Sequence, residues 1–382
     1  MATIIESGFT GNAPGTGPAV HEDLSDLLSI VDSKNTPLTS MMPKGRSLAG
    51  TATTIHWQAD ANIEPSTDGW IDGTDISLTS PTSNNHLTDT KANRRVLKNN
   101  VQSFKRAFRV AELVDTVVNP AGVRSELANG ISKLILTQKR DLEKTVSSKN
   151  SAVEGTDSAA FKMKGLGSFL DEAGTCQGTP GDDPARVPDG YRIRGGNTAN
   201  GSHRTADDTA PLSYYSGTKA GFTEEKVQDL LEGIYTETGT RATYDVICSP
   251  SVKRKFTSFA DLTVQSVAST ASTAATVVRT LNKDQSDNSI VSSIDVYEGD
   301  FGTLRLHVSN WMPIDAVGYD SDHGLAYVLD VANLTELRFA KTTNVKPLTD
   351  NGGGPGRVVG TIASLVVKNP SATGRIGFSA DA

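Results

Sequence analysis

Residue types that often do chemistry are present in this chain, but their spacing matches no catalytic group. Asp300-Phe301-Gly302 has the sequence of the metal-binding tripeptide of protein kinases. The chain contains neither the His-Arg-Asp loop nor the glycine-rich loop and strand lysine that accompany this tripeptide in kinases. A turn between two strands explains it more simply, because Asp and Gly favour turns. We therefore predict no catalytic role for these three residues.

Other catalytic and metal-binding patterns are also missing from the sequence. There is no Gly-x-Ser-x-Gly motif, and the carboxylate pairs at 182–183 and 207–208 lie in polar stretches where solvation is expected. The six histidines include no pair spaced i, i+4, and Cys176 and Cys248 lie far apart in unlike contexts. We expect no catalytic site, no metal site and no cofactor.

A basic run is the clearest candidate for a binding surface. From Lys91 to Arg109 the chain has seven basic residues and no acidic one. The phosphates of a nucleic acid or the acidic side chains of a protein would both suit it. The net charge of −7 argues against a general nucleic-acid coat. Because Phe104 and Phe108 alternate with the basic residues, as on a protein-packed face, we favour acidic residues of a neighbouring copy.

The stretch before this run is too poor in apolar residues to fold by itself. Residues 53–60 alternate as in a strand, and Ile76 and Leu78 indicate a second strand. Ordering each residue costs about 1–2 kcal/mol of backbone entropy, and an isolated hairpin is marginal in water. We therefore predict a long two-stranded loop that another copy stabilises. Between Leu48 and Val96 the chain offers eight large apolar side chains: Ile55, Trp57, Ile63, Trp70, Ile71, Ile76, Leu78 and Leu87.

The surrounding elements are a mixture of helices and strands. Residues 1–20 predict an extended arm, and a short helix with Leu24 to Val31 on its apolar face ends at Asn35-Thr-Pro37. Residues 104–110 alternate as in a long strand. From about Ala121 to Ser147, apolar residues recur at helical spacing, which predicts a rod about 40 Å long.

The second half of the chain predicts a compact α/β unit followed by strands. Residues 171–222 are rich in Gly, Pro, Asp and Thr and predict long irregular connections. Thr223 is suited to cap a helix that ends at Gly239, and the strand Tyr244–Cys248 precedes a helix opened by Ser249-Pro250. The last third is rich in strand patterns. The chain is therefore predicted to have an α+β fold.

This order of elements resembles the Hong Kong 97-type fold of tailed-bacteriophage major capsid proteins. The resemblance is colinear over nearly the whole chain, although each motif is short. It implies an N-arm (1–45), an E-loop hairpin (46–102), a P-domain (103–222) with a spine helix at about 121–147 and a polar loop insertion, an A-domain (223–310) and returning P-domain strands (311–382). The motifs are Glu22-Asp-Leu-Ser-Asp26, Thr36-Pro-Leu38, His56-Trp57-Gln58, Trp70-Ile-Asp-Gly73, Ala121-Gly-Val-Arg-Ser-Glu126, Lys139-Arg-Asp-Leu-Glu143, Tyr297-Glu-Gly-Asp-Phe-Gly302 and Val367-Lys-Asn-Pro370.

The resemblance implies a structural protein and not an enzyme. Such a protein would assemble as hexamers and pentamers into the icosahedral shell of a virion, in the host cytoplasm and without a membrane. Its partners would be other copies, a scaffolding protein, a portal, in some cases a decoration protein, and double-stranded DNA bound without sequence specificity. Two alternatives stay open: an encapsulin-like shell with enzyme cargo, and a soluble hydrolase with a β-rich accessory domain. Candidate intersubunit contacts are Trp57, Trp70, Arg94, Arg95, Lys98 and Arg106.

Overall fold

A computed structural model describes most of the chain. The predicted arm, the helix at 24–31, the strand at 76–78 and most of the polar loop lie outside the described residues. The described ranges are 35–45, 53–59, 72–73, 95–116, 125–170, 214–259, 294–312 and 324–379.

The described ranges contain both helices and strands, as predicted for an α+β fold. The helices are α1 (Pro37–Met41), α2 (Glu112–Thr116), α3 (Glu126–Val146), α4 (Leu166–Phe169), α5 (Glu224–Thr238), α6 (Pro250–Ser258) and α7 (Val331–Leu334). The strands are β1 (Thr54–Ala59), β2 (Arg95–Asn100), β3 (Gln102–Arg109), β4 (Tyr214–Thr218), β5 (Ala242–Cys248), β6 (Val296–Glu298), β7 (Gly302–Val308), β8 (Gly324–Leu329), β9 (Thr335–Leu348), β10 (Gly356–Val367) and β11 (Gly374–Ser379).

The described chain divides into two compact units. The smaller contains the described parts of Lys105–Leu136 and Val345–Val359, and the larger contains those of Lys34–Phe104, Thr137–Asn344 and Gly360–Ala382. The long helix predicted at about 121–147 is confirmed as α3, which begins at Glu126.

A tight turn joins β9 to β10 in the smaller unit. One carboxylate oxygen of Asp350 accepts hydrogen bonds from the backbone N–H groups of Gly352, Gly353 and Gly354, at 2.9, 3.1 and 3.1 Å. Gly354 has a φ of +92°, and a Cβ there would lie 2.2 Å from the carbonyl oxygen of Val110. Only glycine meets both conditions.

A six-stranded sheet dominates the larger unit, in the order β4-β11-β8-β5-β7-β6. β5 runs parallel to β7 and antiparallel to β8, so the sheet is mixed. This sheet crosses two of the predicted domain boundaries, at 222/223 and at 310/311, because β4, β8 and β11 pair alongside the strands of 223–310. The prediction of irregular structure through residue 222 is wrong at its end, where Tyr214–Thr218 pairs with β11.

The helices α5 and α6 pack on the same side of this sheet. Phe222 lies at the centre of their shared core, with its ring centroid 5.0–5.8 Å from those of Tyr215, Phe256, Phe259 and Phe378. The predicted helix ends are confirmed: Thr223 occupies the N-cap, and Gly239 ends α5 in the left-handed conformation, with φ of +66°. The turn predicted for Asp300-Phe301-Gly302 is also present, since the N–H of Gly299 donates to the carbonyl oxygen of Gly302 at 2.9 Å.

Cys248, at the end of β5, is fully buried in this core. Its thiol donates to the carbonyl oxygen of His307 at 3.5 Å. Burial raises the pKa of the Cys248 thiol to about 12, because a thiolate cannot be solvated there. The thiol therefore stays protonated and unreactive in the folded protein.

In a Cys176→Ser variant, we expect Cys248 to react with iodoacetamide at pH 8 about a hundredfold more slowly in the folded protein than in the unfolded protein.

The raised pKa of Cys248 also makes stability depend on pH. The stabilising contribution of the protonated thiol is complete below the unfolded thiol pKa of about 8.5 and is lost as the pH rises towards 12. Tyr297, whose pKa burial raises to about 12, adds a loss of the same sign. Urea unfolding at a series of pH values measures this loss of stability. Equal alkylation rates in the folded and unfolded states would contradict the assigned burial of the Cys248 thiol.

Within the described ranges, no helix combines the length and apolar character needed to cross a lipid bilayer.

Candidate functional site: the anchored base of the hairpin

The predicted two-stranded loop begins and ends at a paired base, formed by β1 and β2. The two strands are antiparallel, with Thr54 opposite Asn100 and Ala59 opposite Arg95. Side chains alternate between two faces, as strand geometry requires. One face is buried and includes Ile55, Leu97 and Asn99, whereas His56, Gln58 and Val96 are exposed on the other.

Asn99 fixes the base to the core of the larger unit through all of its polar side-chain atoms. Its Nδ2 donates to the carbonyl oxygens of Leu365, at 2.7 Å, and Lys164, at 3.2 Å. Its Oδ1 accepts from the backbone N–H groups of Lys164, at 2.7 Å, and Asn100, at 2.8 Å. Because Asn99 is fully buried, each of these bonds replaces a lost bond to water.

Trp57 makes a second anchor on the same face. Its indole Nε1 donates to the carbonyl oxygen of Val367 at 2.9 Å, and its ring lies 6.0 Å from that of Phe169. The hydroxyl of Ser364 donates to the carbonyl oxygen of Asn100 at 2.8 Å, which ties the end of β2 to β10. The base is therefore held by side chains of both strands and by β10.

A buried carboxylate holds the segment that leads into the hairpin. Glu143 is fully buried on α3 and accepts from the backbone N–H groups of Leu38, at 3.0 Å, and Thr39, at 2.7 Å. The hydroxyl of Ser309 lies 3.4 Å from the same carboxylate. Thr36 caps α1 without a side-chain hydrogen bond, so Glu143 supplies the acceptor that a capping residue normally provides.

The same segment is also held after α1. The N–H of Leu337 donates to the carbonyl oxygen of Pro43, and the N–H of Gly45 donates back to Leu337, both at 3.0 Å. Residues 35–45 are thus fixed at both ends of α1, since the indole of Trp311 also donates to the carbonyl oxygen of Asn35 at 2.9 Å. The chain enters the region of the hairpin from a defined position.

Residues 3–379 match the protein family described as SU10 major capsid protein. The chain belongs to this family. None of the curated proteins matches its sequence. Among solved structures, the chain is similar to the capsid of the cyanophage P-SCSP1u, with 12% identity, a TM-score of 0.54 and coverage of 98% of this chain and 97% of that one. It is also similar to the capsid of a native GTA particle, with 12% identity, a TM-score of 0.51 and coverage of 96% and 97%.

These similarities confirm the predicted fold and the predicted class of protein. The fold is the α+β Hong Kong 97-type capsid fold, and the protein is a bacteriophage major capsid protein. Membership of a capsid family favours a structural role over the soluble-hydrolase alternative. Across the described residues, no three His, Cys, Asp or Glu side chains lie close enough together to hold a metal ion.

The candidate contact residues of this capsid protein fall in different places. Trp57 is half-buried in its own subunit, and Lys98 is half-buried opposite His56. Arg106 is exposed on β3, in the smaller unit. Trp70 and Arg94 lie outside the described residues, as does the side chain of Arg95. Their contacts with neighbouring copies stay a prediction.

Two residues that hold the site were missed from the sequence. Asn99 lies inside the basic run, where it reads as one more polar strand residue, and its partner Leu365 is 266 positions away. Glu143 lies on the long helix, 105 positions from Leu38. Glu143 directly follows Leu142 and so lies off the apolar stripe of α3, where a carboxylate is ordinarily solvated; no sequence signal marked its burial.

Proposed function

We propose that this capsid protein assembles as hexamers and pentamers into an icosahedral shell around double-stranded DNA, and that its hairpin reaches a neighbouring copy. The anchored base of the hairpin is the observation that supports this proposal. Residues 60–94 contain six large apolar side chains and leave from, and return to, two strands fixed by Asn99 and Trp57. Such a segment needs an external surface to become ordered. In a shell, many modest contacts of this kind add up through multivalency.

The proposed domain boundaries follow the parts of the capsid fold. Residues 1–45 form the N-arm, 46–102 the E-loop, 103–222 and 311–382 the P-domain, and 223–310 the A-domain. The chain serves as a structural protein without enzymatic activity. Trp70, Arg94 and Lys98 lie in the proposed E-loop and contact an adjacent subunit.

The proposed partners are those of a tailed-phage head. Other copies of the chain form the shell, a scaffolding protein guides its assembly, and a portal occupies one vertex. Where a decoration protein is used, it binds outside, and double-stranded DNA lies against the inner face without sequence specificity. Assembly takes place in the host cytoplasm, and the mature protein resides in the virion.

Electron microscopy of the purified protein tests this function. Closed shells or isolated capsomers support it, and particles from infected cells should contain double-stranded DNA. Particles without DNA that enclose an enzyme would support the encapsulin-like alternative. A monomer that never associates, with or without a scaffolding protein, would contradict the proposal.

Reversing the charge of two arginines in the basic run should impair assembly. In an Arg94→Glu/Arg95→Glu variant we expect about a tenfold or larger loss of particles, because like charges across an interface cost several kcal/mol. Particle yield after gradient sedimentation measures the effect. Normal yields combined with defective DNA packaging would show instead that these arginines face nucleic acid.

A further inference from the structure

The turn between β9 and β10 contains a chemically labile pair of residues, Asn351-Gly352. In such a pair, the backbone nitrogen of the glycine can attack the side-chain amide carbon of the asparagine, because glycine has no Cβ to hinder the approach. A carbon–nitrogen bond forms, the side-chain carbon–nitrogen bond breaks, and ammonia leaves with the proton of the attacking nitrogen. Water then opens the resulting succinimide ring at either carbonyl carbon and yields aspartate or isoaspartate.

Burial gives this pair no protection. Asn351 and Gly352 are both exposed, so water reaches the reacting atoms. The sequence contains two further pairs of this kind, Asn129-Gly130 and Asn200-Gly201. Asn129-Gly130 lies within α3, where hydrogen bonds of the helix hold the backbone N–H groups. Asn351-Gly352 lies outside any helix, so its protection must come from the turn itself.

The attacking nitrogen of Gly352 is held by a carboxylate. Its N–H donates to Oδ1 of Asp350 at 2.9 Å. A hydrogen bond to an ionised acceptor is about twice as strong as one between neutral groups. To attack, the nitrogen must give up its proton, and the negative charge that forms would face the carboxylate oxygen. Asp350 therefore opposes both the loss of the proton and the rotation that the attack requires.

The rest of the turn is held as firmly. The N–H groups of the next two glycines donate to the same carboxylate oxygen, each at 3.1 Å. The N–H of Val110, directly after β3, donates to the carbonyl oxygen of Pro355 at 3.0 Å, and Nη2 of Arg109 donates to the carbonyl oxygen of Thr349 at 3.2 Å. Gly352 can therefore reach the asparagine side chain only when the turn opens locally.

We propose that Asn351 is a deamidation site that the fold keeps unreactive, and that Asp350 protects it by holding the backbone N–H of Gly352. Subunits of the proposed shell are not replaced after assembly, so covalent damage to them accumulates. Isoaspartate at this position would lengthen the backbone by one methylene group and place a second negative charge beside Asp350. Gly354, which has no room for a Cβ against Val110, would lose its position.

Removal of the carboxylate tests this protection. The unchanged chain and an Asp350→Ala variant are incubated at pH 8, and peptide mass spectrometry measures aspartate and isoaspartate at position 351. We expect Asn351 to react about tenfold or more faster in Asp350→Ala, because a charge-assisted hydrogen bond no longer holds the attacking nitrogen. Asp350→Asn keeps an acceptor oxygen without the charge, so its rate should lie between the two.

Two comparisons make the test specific. Asn129 serves as an internal control in each sample, and its rate should be the same in Asp350→Ala and in the unchanged chain. In the unchanged chain, Asn351 should react about tenfold or more faster in urea than in the folded protein. Equal rates at Asn351 in the variant and the unchanged chain, or in the folded and unfolded states, would overturn the proposal.

Two other results would also overturn it. A slower reaction in Asp350→Ala would show that the carboxylate promotes the attack as a base, and an equal acceleration at Asn129 would assign the effect to unfolding of the variant. None of these results affects the proposed function, whose own failure is the absence of particles from the unchanged chain.

Discussion

Glu143→Ala should lower the free energy of unfolding by about 2–4 kcal/mol, because it leaves two backbone N–H groups of α1 without an acceptor. One of these bonds, from Leu38, is buried, and the other, from Thr39, is partly buried. Removal of the carboxylate also leaves a cavity in a fully buried site. Urea unfolding of unassembled subunits, followed by circular dichroism, measures the change.

Two further variants define the cause of this loss. Glu143→Gln keeps the size of the side chain and one acceptor oxygen, so we expect an intermediate loss. Lys139→Ala removes an exposed residue from the same helix and should stay within about 0.5 kcal/mol of the unchanged chain. An unfolding curve for Glu143→Ala that overlays that of Lys139→Ala would contradict the role assigned to Glu143.

Asn99→Ala is expected to cost about 3–4 kcal/mol and to release the base of the hairpin. The change removes the acceptor of two N–H groups and the donor to two carbonyl oxygens, all at a fully buried position. Because the base no longer fixes β2 to β10, cleavage by a protease between residues 59 and 95 should accelerate. Urea unfolding and limited proteolysis provide the two measurements.

Asn99→Asp separates hydrogen bonding from side-chain size. Aspartate has the same shape but places a carboxylate oxygen against the carbonyl oxygen of Leu365, so it should destabilise at least as much as alanine. Gln58→Ala, on the exposed face of the same hairpin, should be neutral. If Asn99→Asp were as stable as the unchanged chain, the hydrogen-bond explanation would fail.

The local elements were predictable because the sequence marks them with short-range signals. Gly239 ends α5 because glycine adopts a positive φ without strain, and Pro250 begins α6 because its missing N–H is not needed there. The alternation of residues 53–60 and of 104–110 indicated the strands β1 and β3 correctly.

Other elements were missed for identifiable reasons. The Asn35-Thr-Pro37 stop signal predicts no helix from Pro37 onwards, yet Pro37 opens α1, where a proline at the first turn is well tolerated; the helix expected before it lies outside the described residues. β4 is a five-residue edge strand with Ser and Gly, so its composition resembles the polar loop before it. Its pairing with β11 depends on contacts across more than a hundred residues, which single-sequence patterns do not contain.

The candidate site was predicted in outline but not in its anchors. The low apolar content of 48–96 indicated a segment that depends on other surfaces. The strand that pairs with β1 in the structure, β2 (Arg95–Asn100), was not predicted, and the second strand expected at Ile76 and Leu78 lies outside the described residues. Trp57 was expected to find its burial on a neighbouring subunit. The structure gives it a partner within the chain, the carbonyl oxygen of Val367, because the inner face of β1 lies on the chain's own core.

The hydrogen bond of Trp57 also limits when the hairpin can dock during biosynthesis. The acceptor of its indole lies 310 positions further along the chain. At ribosomal rates of about 5–20 residues per second, roughly 15–60 s separate the synthesis of the hairpin from that of the strand that holds it. A nascent chain therefore cannot present a docked hairpin to its neighbours on the same messenger RNA, and subunits become competent to associate only once β10 has emerged.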